Sequence, residues 1–219
     1  MTTQSLSVLY LDKELAVVDK PGGLLAVPGR GPDKQDCVVS RLRQMVPWCI
    51  EQPAVHRLDM DTAGVMVLGL TGAAHRHLSR QFAERRVEKQ YLALLEGVVS
   101  GEKGEICLAF RLDPDNRPHQ VYDAVRGKMG VSHWRRIEIR GQRTLVEFIP
   151  QTGRTHQLRL HASHPLGLGC PIVGDRLYGA GRDGDSLKLH ATRLHFLHPA
   201  TYRPMEFVSR APFDWRQAN

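Results

Sequence analysis

Apolar residues recur along this chain in short alternating runs broken by charged or glycine-rich punctuation, and the period is more often two than 3.6. Residues 7–11 and 15–19 are β-prone runs on either side of Asp12-Lys13-Glu14 and predict a hairpin. Lys20-Pro21-Gly22-Gly23-Leu24 ends it in a tight turn. A loop rich in glycine, proline and charge follows over 27–35, then a helix is expected over 36–45, stopped by Pro47. Residues 64–70 read as a buried strand, and Thr71 is placed to cap a helix running to about residue 86. Ala74, Leu78 and Phe82 recur at i, i+4 and i+8 there, so one stripe of that helix faces a core. Further strands fit residues 87–96, 105–110, 131–139, 144–149, 187–196 and 205–208, with a short one at 120–124. A helix is expected over 155–163 and a loop over 175–179. Many strands with few helices and no strict alternation predict an α+β fold, a single domain over 1–219 with a mixed, largely antiparallel sheet.

Composition narrows the class. Of 219 residues, 42% are hydrophobic and 24% charged, as in ordinary globular proteins. No apolar run approaches the roughly twenty residues of a membrane span, and the first residues lack the pattern of a signal peptide. A cytoplasmic location is therefore expected. Cys37, Cys49, Cys107 and Cys170 form no C-x-x-C pair, which argues against a zinc ribbon or redox motif and for reduced thiols. The formal net charge of +7 favours a polyanionic partner, and the arginine bias favours phosphate or a stacked base.

Two blocks carry the candidate chemistry. His56-Arg57-Leu58-Asp59-Met60-Asp61-Thr62-Ala63-Gly64 places an acid beside an arginine at the entrance to a strand. Residues 151–161 hold Thr152, Gly153, Arg154, His156, Gln157, Arg159 and His161. The two blocks are expected to meet, with Asp59 as the reacting group. Asp59 and Asp61 make a poor glycosidase pair, since residues two apart on a loop seldom face each other at the roughly 5 Å or more such chemistry needs. His156 and His161, five apart on the expected helix, diverge by about 140° and do not suit a shared metal ion. Hydrogen-bonding histidines are expected there. Arg154, Leu158 and His161 share one side of that helix, from which Arg154 reaches a carboxylate in a neighbouring loop. A purely structural Asp–Arg pair remains open on spacing alone.

The motifs together resemble the RluA family of pseudouridine synthases. His56-Arg57-Leu58-Asp59-x-x-Thr62-x-Gly64 looks like that family's H-R-L-D-x-x-T-S-G signature, with Ala63 where serine is usual. Lys20-Pro21-x-Gly23-Leu24, Lys89-x-Tyr91, Thr152-Gly153-Arg154-x-His156-Gln157-Leu158-Arg159-x-His161 and Leu189-His190-Ala191 match its other motifs in order. The compact dual-specificity members, acting on 23S rRNA and the tRNA anticodon loop, are the most alike, and the S4-like domain of larger relatives is not expected.

The resemblance implies isomerisation of uridine in structured RNA: the C1′–N1 bond breaks, the uracil turns, and C5 joins C1′. It makes Asp59 the essential carboxylate, attacking C1′ or removing the C2′ proton. Arg154 is implied to keep it ionised. Tyr91 is implied to stack on the uracil and take the C5 proton. The base must flip out of its stack, with Arg57 filling the vacancy or holding the displaced strand and Lys20, His156, Arg159 and His190 as further RNA-binding residues. No metal and no cofactor is implied, nor a DNA or membrane partner, and a monomer is expected. The competing reading is a non-catalytic RNA-binding or chaperone protein on the same fold.

Overall fold

A computed structural model describes residues 6–213. In chain order the elements are β1 (Ser7–Leu11), β2 (Leu15–Lys20), α1 (Val38–Met45), β3 (Ala63–Gly69), α2 (Gly72–Ala83) and β4 (Glu88–Glu96). Then follow β5 (Lys103–Leu112), β6 (Gln120–Tyr122), β7 (Lys128–Arg140), β8 (Arg143–Pro150), α3 (Gln157–Ser163), β9 (Leu189–Leu197) and β10 (Pro204–Val208). The chain divides into two compact units: one runs through Lys89 and resumes at Ala191–Ala211, and the other is built on Gln90–His190.

The first unit is the hairpin and what it leads to. β1 and β2 pair antiparallel from Ser7↔Asp19, and β2 pairs antiparallel with β3 from Leu15↔Gly69 to Lys20↔Gly64. Every residue of β3 is buried, as expected of a strand covered on both faces. Val65 and Val67 pack with Leu15, Val17, Leu78, Val87, Leu194 and Phe196. Each such side chain contributes on the order of 1.5–3 kcal/mol when withdrawn from water. α1 begins two residues later than expected because Cys37 caps it: Cys37 Sγ accepts from Ser40 N–H while Ser40 Oγ accepts from Cys37 N–H.

Thr71 caps α2 as expected, its Oγ1 accepting from Ala74 N–H at 3.1 Å. The helix ends at Ala83, three residues short of the expectation. Arg86 N–H donates to Gln81 O and Arg85 N–H to Phe82 O, with Arg85 left-handed at φ 58°. That is a Schellman ending with arginine where glycine is usual, and so without the usual signal in the sequence.

The second unit holds an antiparallel sheet ordered β4-β8-β7-β5-β6. α3 packs on it, with Leu158, Leu160 and Ala162 in one core with Phe110, Val146 and Phe148. The pairings β1·β2, β2·β3, β9·β10, β4·β8, β8·β7, β7·β5 and β5·β6 are antiparallel and the bridge Leu25↔Cys37 is parallel, in line with the expected α+β class and its mixed, largely antiparallel sheet. α3 starts at Gln157, not at 155, and His156 before it is left-handed (φ 55°, ψ 19°). Arg154 and His156 therefore lie in the entry turn, and the expected helix side joining Arg154 to Leu158 and His161 does not form. All four cysteines are free thiols; Cys107 is exposed and the others are buried. Among the described residues, no helix is long and apolar enough to cross a membrane.

Candidate active site

Asp59 sits half-buried in a turn that closes with Thr62 N–H donating to Asp59 O at 3.1 Å, directly before β3. Leu58 on one side and Thr62 and Ala63 on the other are buried, so the turn is anchored at both ends while Arg57 stays exposed. The Lys20–Leu24 loop lies against this turn. Gly23 N–H donates to Met60 O at 2.9 Å, and a Cβ on Gly22 would stand 3.1 Å from Asp61 O. The two motifs read separately along the chain form one structure.

Lys20 is the pin of that structure, not a surface contact. It is fully buried, and Nζ donates to Pro21 O, Leu24 O and Met60 O at 2.9, 2.7 and 2.8 Å. Burial pulls its pKa down to about 7, opposed by the charges of Asp61 and Asp59. Three carbonyl acceptors match the three protons of an ammonium, which favours the charged form. This corrects its expected place as an RNA-facing lysine: a buried Nζ with three partners has nothing left to offer a phosphate.

His56 braces the same turn. Its Nε2 accepts from Val67 N–H at 3.1 Å, and its ring stacks on Phe82 with centroids 4.5 Å apart. Burial, and then the charge of Lys89, push its pKa down to about 3, consistent with a ring that accepts at Nε2. Gly64 completes the anchoring. At φ 116° it runs against Ala191, where a Cβ would lie 2.2 Å from Ala191 O. The glycine of the H-R-L-D block and the alanine of the L-H-A strand thus require each other.

In the second unit the Thr152–Gln157 turn presents Arg154. Gln157 organises it: Oε1 accepts from Thr152 Oγ1 (2.7 Å) and Arg154 N–H (3.0 Å), while Nε2 donates to Val131 O (3.0 Å) and Ser132 Oγ (2.9 Å). Thr152 Oγ1 also accepts from Val131 N–H at 2.9 Å. The Arg154 side chain is exposed, and within its unit Nε donates to Met129 O at 3.4 Å. Tyr91, half-buried on β4 opposite Phe148, packs against the core of this unit. His190 is buried at the start of β9.

Arg159 also departs from its expected role. It is 2% exposed, and its Nε and Nη2 donate to Asp175 Oδ2 and Oδ1 at 2.8 and 2.6 Å. The guanidinium is used up inside the protein and does not face RNA. Asp175 Oδ1 also accepts from Leu177 N–H and Tyr178 N–H, and Arg159 holds this carboxyl below the usual range against the upward push of burial. His156 Nδ1 lies 2.8 Å from Tyr178 Oη. His161 fails the expectation of a hydrogen-bonding histidine. Both ring nitrogens are buried with no partner among the described residues, the ring meets Phe110 edge-on, and burial lowers its pKa to about 4.

Sequence reasoning named Gln157 without giving it a role, and passed over Asp175 and Tyr178. The only signal for the last two was a carboxylate and an aromatic inside a loop rich in glycine, Gly174 to Gly181.

Comparison with known proteins agrees with these motifs. A family model described as RNA pseudouridylate synthase matches residues 14–164. The dual-specificity RNA pseudouridine synthase RluA of Haemophilus influenzae is 42% identical over 212 residues, covering 95% of this chain and 94% of that protein. The protein of the same name from Escherichia coli K12 has the same identity and coverage. The structure of human RNA pseudouridylate synthase domain containing 1 superposes with a TM-score of 0.76 at 30% identity, over 97% of this chain and 87% of the human one. The chain belongs to the RNA pseudouridine synthase family, in its RluA branch, and with that to the isomerases.

Proposed function

We propose that this chain isomerises particular uridines to pseudouridine in 23S rRNA and in the tRNA anticodon stem-loop, as a monomer in the cytoplasm. The observation that carries the reading is the anchoring of the Asp59 turn by Lys20, Gly23, His56 and Gly64, which spends a buried ammonium, a histidine hydrogen bond and two close backbone approaches on aiming one carboxylate. Catalysis needs such preorganisation, because a reacting group displaced by 1 Å loses about a hundredfold in rate. The relatives are named dual-specificity RNA pseudouridine synthases, which supports action on more than one RNA.

In this reading Asp59 acts on C1′ or C2′ of the flipped nucleotide, and Arg154 supplies the positive charge that keeps it ionised. Tyr91 stacks on the uracil and takes the C5 proton as the new C–C bond is completed. Arg57, exposed beside Asp59, occupies the place the base leaves. His156 and His190 line the bound nucleotide. The product is an isomer of the substrate, so no electrons are exchanged and the residues named here suffice. Exposed Arg76, Arg80, Arg85 and Arg86 of α2 and its ending carry one ion pair among them, Arg86 with Glu84, within the described residues. They are available to RNA phosphates, each adding roughly 0.7–0.9 to the slope of log affinity against log salt.

The test is conversion of transcripts. A tRNA anticodon stem-loop and a 23S rRNA fragment, incubated separately with the protein, are expected each to gain pseudouridine at one or a few positions. Product in only one of them would remove the dual specificity. Tight binding without product in either would favour the RNA-binding protein instead.

A further inference from the structure

The Thr152–His156 turn is held from one side by Gln157, but its last residue is held from another quarter altogether. His156 adopts the left-handed region, which is costly for any residue with a Cβ and persists only when neighbours impose it. One such neighbour is Tyr178. Its hydroxyl accepts from Gln120 N–H at 2.8 Å and meets His156 Nδ1 at 2.8 Å. The two rings stand edge to face at 5.6 Å, and the His119 ring also meets the tyrosine edge-on at 5.7 Å.

Tyr178 is itself fixed. Asp175, fully buried, accepts the Tyr178 and Leu177 backbone N–H groups on Oδ1 and so sets the turn that carries the ring. Arg159 bridges the same carboxylate with two hydrogen bonds, and its guanidinium lies 5.3 Å from the Tyr178 ring centroid. Asp175 O accepts from Gly179 and Gly181 N–H, each at 3.1 Å, which closes the loop beneath. Arg159 lies on α3 three residues after His156, so the brace begins and ends on the same short stretch of chain. Its effect is to hold the entry of α3 against the 175–178 turn.

We infer that Tyr178 is a positioning residue for the isomerisation: through His156, and supported by Asp175 and Arg159, its hydroxyl fixes the turn that presents Arg154. The inference rests on the proposed function, since what is positioned matters only if the turn serves catalysis. The hydroxyl, not the ring, does the positioning. In the proposed arrangement the hydroxyl accepts from Gln120 N–H and donates its proton to His156 Nδ1, with the histidine proton on Nε2. A ring that only filled space would need no such bond.

Tyr178→Phe keeps the ring and removes the hydroxyl. Its kcat on the anticodon stem-loop should fall roughly tenfold to a hundredfold, with KM within about threefold, because a loosened turn misplaces Arg154 without removing a contact to RNA. His156→Asn, which also tolerates the left-handed region, should lose at least that factor, since it also gives up the ring that lines the nucleotide. The double variant should be no worse than the poorer single, as expected for two groups acting through one bond. Nitrogen-15 spectra of histidine-labelled protein should show His156 fixed with Nδ1 unprotonated in the wild type and released in Tyr178→Phe. Multiplicative losses in the double variant, or a wild-type kcat in a folded Tyr178→Phe, would overturn the proposal. So would an unchanged His156 spectrum, which is readable even without turnover. A wild type that makes no pseudouridine would instead remove the function on which the proposal rests, while the spectrum still reports on the bond.

Discussion

Replacing Lys20 by methionine removes a buried ammonium and keeps most of the side-chain volume. In the wild type that ammonium donates three hydrogen bonds of 2.7–2.9 Å to Leu24, Met60 and Pro21 carbonyls. Hydrogen bonds to a charged group contribute about 1.5–3 kcal/mol each, and the desolvation of the ammonium offsets several kcal/mol of that sum. After substitution Met60 O keeps Gly23 N–H as a donor, while Pro21 O and Leu24 O lose the Nζ donor. The net expectation is a loss of about 2–6 kcal/mol in urea unfolding, from two carbonyls left without their donor at about 1–3 kcal/mol each. The same change frees the Asp59 turn, so turnover should fall at least about tenfold. RNA affinity and the slope of its salt dependence should stay as in the wild type, because the ammonium never reaches the surface. An unfolding midpoint and rate equal to wild type, or a salt slope reduced by about one phosphate contact, would refute the reasoning and return Lys20 to the RNA interface.

Other consequences are equally direct. His161 is held neutral by burial with a pKa of about 4, against about 6.5 when unfolded. The unfolded chain therefore binds the extra proton, and stability is lost as pH falls from about 6.5 to about 4. His161→Leu should remove about 3 kcal/mol of that acid loss and cost little at pH 7, where the imidazole has no hydrogen bond to lose; parallel stability–pH curves would contradict this. Gly64→Ala should lose more than about 3 kcal/mol, since its Cβ would stand 2.2 Å from Ala191 O in a region L side chains avoid; a normal melting temperature would show that the close approach relaxes freely. Arg154→Lys keeps a charge without the planar fork and should cut kcat strongly with fold stability unchanged, because the side chain is exposed; near-wild-type kcat would remove Arg154 from the reaction.

Much of this was legible in the chain, for identifiable reasons. The short apolar run from Gly64 to Leu70, rich in valine, reads as a buried strand, and β3 is one. Thr71 stood where a cap should stand, and it caps α2. The hidden part has two causes. Lys20 and Arg159 are cations, whose default place is the surface, and only their partners show them to be interior pins. Those partners lie elsewhere in the chain, Met60 for Lys20 and Asp175 for Arg159, beyond the reach of any local pattern. Backbone conformation is the second cause. His156 and Arg85 are left-handed without being glycine, so α3 begins late and α2 ends early with no punctuation to announce either.

The most direct test of the account is tritium release from RNA labelled at uridine C5, run with wild type beside Asp59→Asn. The substitution keeps the size of the side chain and removes its charge, so RNA binding should persist. The account predicts release by the wild type and none by the variant. Release by both would take the essential role away from Asp59, and with it the meaning given to the anchored turn.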